Sequence, residues 1–61
     1  MRLSIILEIT CIGNFQKVTA IDEISGQEVS FMAPLNAMRS DIEKLARAKL
    51  LYVLNRKSAE S

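Results

Sequence analysis

Leu3, Ile5, Leu7, Ile9 and Cys11 fall on alternate positions near the start of the chain, with Ser4, Glu8 and Thr10 between them alongside Ile6 and Ile12. Successive side chains of an extended strand point to opposite faces, so this period of two, rich in β-branched residues, predicts a half-buried strand over residues 3–12. Gly13-Asn14 interrupts it. Glycine suits the first loop position of a type II′ turn, and a two-residue turn here sets Cys11 opposite Gln16, Ile9 opposite Val18 and Leu7 opposite Ala20. A second strand over residues 15–21 then adds Val18 and Ala20 to the same face. Asp22 can accept hydrogen bonds from nearby backbone N–H groups and Gly26 can take a positive φ, which together predict a tight loop. With residues 23–26 as that loop, Ala20 faces Val29 and Val18 faces Phe31. The two turns therefore agree on one apolar face, Ile5, Leu7, Ile9, Val18, Ala20, Val29 and Phe31, as a three-stranded meander requires.

Pro34 ends the third strand, and a helix is expected soon after it. Ser40 followed by Glu43 has capping-box spacing, while a cap at Asn36 would start the helix earlier. Asp41 and Glu43 near the start and Arg56 and Lys57 near the end complement the helix dipole. At 100° per residue, Leu35, Met38, Ile42, Leu45, Ala46, Lys49 and Val53 cluster on one side, flanked by Leu50 and Tyr52. Lys49 belongs in this stripe if its methylenes lie along the apolar surface and its ammonium group reaches water. The predicted fold class is α+β: a three-stranded antiparallel meander with one C-terminal helix packed on one face (βββα). It forms a single domain over residues 1–57, with a flexible C-terminal tail at 58–61.

Size makes such a domain marginal. For a chain of 61 residues, surface scaling gives roughly 60% of the unfolded area buried. Its apolar part returns roughly 90 kcal/mol, about equal to the ordering cost of roughly 1.5 kcal/mol per residue. Domains this small commonly gain their margin from a disulfide, a metal or a partner subunit. Cys11 has no second cysteine and His is absent, which moves the weight to oligomerisation. Cys11 itself is expected to be a small buried hydrophobe, and a free thiol fits a reducing compartment. The apolar run Ile5, Ile6, Leu7 meets Glu8 long before a membrane-spanning length of about 20 residues. No cleavable signal pattern follows, so a cytoplasmic location is expected, with no membrane partner. A net charge of +1 supplies no overall drive toward nucleic acid or membrane.

The groups that carry chemistry do not assemble into a catalytic pattern. Without His there is no ordinary proton carrier near neutral pH, and one Cys cannot form a thiolate cluster for zinc. Gly13 and Gly26 are isolated turn glycines, outside any phosphate-cradling loop. Glu23 and Glu28 can approach across the second hairpin, but in a solvated setting that raises neither pKa. The chain reads as non-enzymatic, with no catalytic, cofactor-binding or metal residues and no cofactor. Lys17, Arg39, Lys44, Arg47, Arg56 and Lys57 are the candidate contacts for an alternative, nucleic-acid-associated or regulatory function. Asp41 and Glu43 dilute that charge, Glu43 and Arg47 have the spacing of an intrahelical ion pair, and Phe15, Phe31 and Tyr52 make a thin stacking surface.

The stretch from Ile12-Gly13-Asn14-Phe15 through Lys17-Val18-Thr19-Ala20-Ile21-Asp22, with Ser25-Gly26-Gln27-Glu28-Val29 and Lys49-Leu50-Leu51-Tyr52-Val53-Leu54, resembles a small uncharacterised domain family of alphaproteobacteria. The resemblance runs from about Ile5 to Lys57. It implies one bacterial, cytoplasmic domain and carries no activity or cofactor with it.

Apolar residues remain after the core is assigned. Ile6 and Ile21 pair on the outer face of the sheet, and Leu51 and Leu54 lie off the helix stripe. These four are the candidate interface of a small protein-interaction or assembly module, a homo-oligomer with a dimer favoured, or a binder of another protein. The first strand, at the edge of the meander, offers a second route to assembly through its free backbone ladder.

Overall fold

The computed structural model describes the backbone of residues 3–60 and the side chains of residues 3–56. These residues form β1 (Ile5–Ile12), β2 (Phe15–Asp22), β3 (Glu28–Pro34) and α1 (Arg39–Glu60). The strands make one antiparallel sheet in the order β1-β2-β3, and α1 packs against one of its faces. The expected pairings hold throughout: Ile9 with Val18, Leu7 with Ala20, Cys11 with Gln16, and Val18 with Phe31 and Ala20 with Val29. Both turn glycines take the positive φ assigned to them, 58° at Gly13 and 77° at Gly26. Asn14 does not follow Gly13 into that region, as a type II′ turn requires. β1 begins two residues later than the alternation predicts, because Ser4 has a different partner, described below.

Two small clusters make the core. Val18, Ala33 and Ile42 are buried together, with Leu7, Ile9, Phe31 and Ala37 packed around them. Ala20, Ala46 and Leu50 form the other, surrounded by Ile5, Leu7, Val29 and Phe31. The alanines let the helix backbone approach the sheet closely. α1 lies over β2 and β3, so Val18 and Ala20 on the central strand are wholly covered while Ile5, Leu7 and Ile9 on β1 are half-buried.

The buried stripe of α1 is Ile42, Ala46 and Leu50, a correction to the stripe expected from the sequence. Leu45, Met38 and Leu35 are exposed, as is Tyr52. At 100° per residue the helix is turned by roughly 50° from the predicted orientation. Lys49 explains the direction. A stripe centred between Ile42 and Lys49 would press the ammonium group toward the core, whereas the observed rotation brings Leu50 inward. Lys49 then lies at the rim, with its Nζ 5.5 Å from the centroid of the Phe31 ring, where the ring face attracts the cation.

The helix start also differs from expectation. The carbonyl of Met38 accepts from Asp41 N at 3.1 Å and Ile42 N at 3.0 Å, so the cap position is Met38 rather than Asn36 or Ser40. Its location is set by the connection. Ala37 N donates to Pro34 O in a tight turn, and the Gln16 side chain donates from Nε2 to the carbonyls of Pro34 and Leu35. Between that clamp and the docking of Ile42 on Val18 the chain has room for an early start. At its other end α1 continues to Glu60. A helix of 22 residues spans about 33 Å, longer than the strands, and among its described side chains the last buried one is Leu50. The molecule is correspondingly elongated, 39 × 19 × 16 Å.

Leu50→Ala is expected to cost about 2–5 kcal/mol, enough to remove most of the stability of a domain this small. Leu45→Ala is expected to cost less than about 1 kcal/mol. Urea denaturation of the two variants measures the difference, and equal losses would contradict the helix rotation.

Candidate assembly surface

β1 enters the sheet through a buried carboxylate. Asp22 closes β2 on the helix side of the sheet and is 1% exposed, a position a charged group holds only when its oxygens are satisfied. Its Oδ1 accepts from Ser4 N at 2.9 Å and, at 3.4 Å, from Ile24 N. Its Oδ2 accepts from Ser25 N at 3.2 Å and Ser25 Oγ at 2.7 Å. The carbonyl of Ser4 in turn accepts from Glu23 N at 2.8 Å, and Ser4 Oγ donates to Glu23 Oε1. One side chain thus organises the loop after β2 and holds the chain entering β1. The Ser4 hydrogen bond, helped by the Ser25 hydroxyl and opposed by burial, holds the Asp22 carboxyl below the usual carboxylate value. The capacity of Asp22 to order its own loop is legible in the sequence. Its bond to Ser4 is not, although the hairpin register carries the signal by setting residue 4 opposite residue 23.

The other side of β1 is open. A two-residue turn makes Ile12 and Phe15 its closing hydrogen-bonded pair. In an antiparallel ladder the bonding direction alternates, so the even-numbered residues of β1 spend their backbone groups on β2. Ile5, Leu7, Ile9 and Cys11 turn theirs to the free edge. Ser4 follows the even pattern, with its N–H directed to Asp22. A proline at position 4 would therefore break the bond to Asp22 rather than block the free edge. The position that does face outward with little packing at stake is Cys11, which is exposed rather than buried as expected, because α1 covers β2 and β3 and leaves the far end of β1 uncovered. Between β1 and α1 lies an open groove of ≈ 270 Å³ lined by Ile5, Leu7, Arg39, Glu43 and Arg47.

On the face away from the helix, Ile6 pairs with Ile21 and Ile12 with Phe15. Ile6 is 45% exposed, and Ile12 and Phe15 are each 51% exposed. Two apolar patches result, one at each end of β1, separated by Glu8, Thr10, Lys17 and Thr19. Leu51 and Leu54 are half-buried on the overhanging part of α1, far from those patches along the chain. The structure thus brings Ile6 and Ile21 together and leaves Leu51 and Leu54 apart from them.

Among the described residues, the basic side chains are divided between surfaces. Lys17 is on the helix-free face, and Arg39 and Arg47 line the groove on the opposite side. Lys44 is exposed on the helix, and Arg56 lies 5.8 Å from the Tyr52 ring. The Lys57 side chain falls outside the described residues. Among the described residues, no group of three or more His, Cys, Asp or Glu is placed to hold a metal, and no helix is long and apolar enough to cross a membrane.

A family model described as Domain of unknown function (DUF6898) matches residues 3–57. No curated protein and no solved structure matches the chain.

The Asp22 carboxylate predicts a specific acid response. Its folded pKa is below the unfolded value near 3.8, so the stabilisation is complete above that value and is lost as pH falls through the lowered folded pKa. Equilibrium unfolding of the native chain and of Asp22→Asn between pH 2 and 6 should show the native chain losing stability more steeply below about pH 4. Parallel curves would disprove the anchoring role of the carboxylate.

Proposed function

The chain belongs to the DUF6898 domain family, and we propose that it is a small, non-enzymatic assembly module whose β1 edge pairs with a second copy of itself. The observation that carries the proposal is the state of that edge. Natural sheets protect exposed edges with proline, bulges, several charges or a covering element. β1 pairs residue for residue with β2 along all eight of its positions, contains no proline, and has Glu8 as its one charge. The neighbouring groove leaves its inner face half-covered as well. A domain at the margin of independent stability gains from a partner both the backbone hydrogen bonds and the apolar area it lacks. Exposed, unpaired Cys11 on this edge suits a reducing, cytoplasmic setting.

Leu51 and Leu54 are the competing contact. Each is already half-buried, so they have less area left to contribute. A nucleic-acid role gains no support from basic residues distributed over both faces of the sheet and along the helix.

Light scattering over a concentration series should find a dimer at micromolar concentration. Cys11→Pro removes an outward N–H at an exposed position, and proline is tolerated on an edge whose N–H faces solvent. It should keep the circular dichroism of the fold and raise the dimer Kd by roughly 10- to 100-fold. Leu51→Glu combined with Leu54→Glu should remain dimeric. A folded, fully dimeric Cys11→Pro beside a folded, monomeric double Glu variant would transfer assembly to the helix.

A further inference from the structure

Resting on the edge-pairing reading, we infer that the two β1 strands pair antiparallel with Ile9 opposite Ile9 of the second copy. This register joins the Ile12 and Phe15 patch of each copy to the Ile6 and Ile21 patch of the other. In a two-fold antiparallel pair the residue on the axis faces itself, and each residue before it faces the one equally far after it. Three placements use the centre of β1. An axis at Glu8 sets two carboxylates directly opposite each other in a closely spaced pair, an arrangement that like charges disfavour. With the axis at Leu7, Glu8 faces Ile6 of the second copy and Ile12 moves out beyond its strand. The axis at Ile9 instead puts Glu8 opposite Thr10 and Ile6 opposite Ile12.

The pairings within each copy extend these contacts across the whole sheet. Pro34, Phe15 and Ile12 already form one outer-face row, as do Ile6, Ile21 and Glu28. The Ile9 axis aligns the first row of one copy with the second row of the other, so Ile12 at 51% exposure meets Ile6 at 45%. Because the axis is two-fold, the junction occurs twice. The next row reads Met32, Lys17 and Thr10 in one copy, continued by Glu8, Thr19 and Ser30 of the second. Lys17 and the second copy's Glu8 are then two strands apart, about 10 Å between backbones, and these long side chains can approach above the intervening Thr10. The charge on the edge strand therefore finds an opposite charge in this register, whereas the Glu8 axis sets it against itself. On the inner face Cys11 lies opposite Leu7 of the second copy. The two Cys11 residues are offset by about 13 Å along the strands, too far for a disulfide.

Paired single-cysteine variants test the register in the full chain, with Cys11→Ser as background. Ile6→Cys and Ile12→Cys change side chains on the helix-free face, and circular dichroism checks that each stays folded. The Ile9 register holds positions 6 and 12 of opposite copies about 4.5 Å apart at Cα, within the range a disulfide spans. Mixing the two variants under mild glutathione oxidation should give a disulfide-linked Ile6→Cys/Ile12→Cys heterodimer in roughly tenfold excess over either homodimer. Dominant crosslinking of Glu8→Cys with itself, or of Ile6→Cys with Glu8→Cys, would overturn this register while leaving edge pairing in place. A dimer in which none of these pairs crosslinks also overturns it. If light scattering finds the uncrosslinked chain monomeric, the register and the assembly reading fall together.

Discussion

The contact between Ala20 on the central strand and Ala46 on the helix governs the shape of this molecule. Both residues are fully buried in one cluster with Leu50, and side chains as small as methyl groups at this seam allow the helix and sheet backbones to approach closely. Helix and sheet have little freedom to slide once Leu50 and Ile42 are seated on either side of that contact, because a packed core tolerates few voids. Seating the helix over β2 and β3 has a direct consequence. Its width is used up on those strands, and β1 is left with its inner face half-covered and its outer backbone groups unpaired.

Asp22 compensates for that weak attachment at one end. The first strand gains less from the helix than its neighbours do, so its entry into the sheet is tied down by polar contacts. A carboxylate that is itself buried and saturated with donors is a stiff support, since any movement of Ser4 or Ser25 leaves an uncompensated charge away from water. Gln16 plays a comparable part at the opposite end, where its amide holds the carbonyls of Pro34 and Leu35. Each end of the sheet is therefore closed by a polar side chain from β2, and the apolar clusters lie between them.

The same economy explains why assembly is the natural reading of function. Among the features left exposed after folding are a free backbone ladder and paired aliphatic side chains beside it. Backbone bonds along an edge supply affinity, and the side chains on the outer face determine register, as they do in any strand addition.

The order of the strands, both turns and the register of the two hairpins could be read from the sequence, because a period of two and two positive-φ glycines impose local constraints that leave little choice of register. The outer-face pair Ile6 and Ile21 was legible for the same reason. The rotation of α1 was not: a helical stripe defines a broad arc, and the choice between a face centred between Ile42 and Lys49 and one centred on Ala46 depends on where Lys49 can place its charge against Phe31. Nor was the exposure of Cys11, which shares the alternation of Leu7 and Ile9 but lies where the helix gives no cover. The Asp22 to Ser4 bond joins residues 18 apart and exists only once the sheet has formed. Local pattern determined which residues pair and which face they occupy; tertiary packing decided how much of each face is covered, because coverage depends on where a single helix of limited width comes to rest.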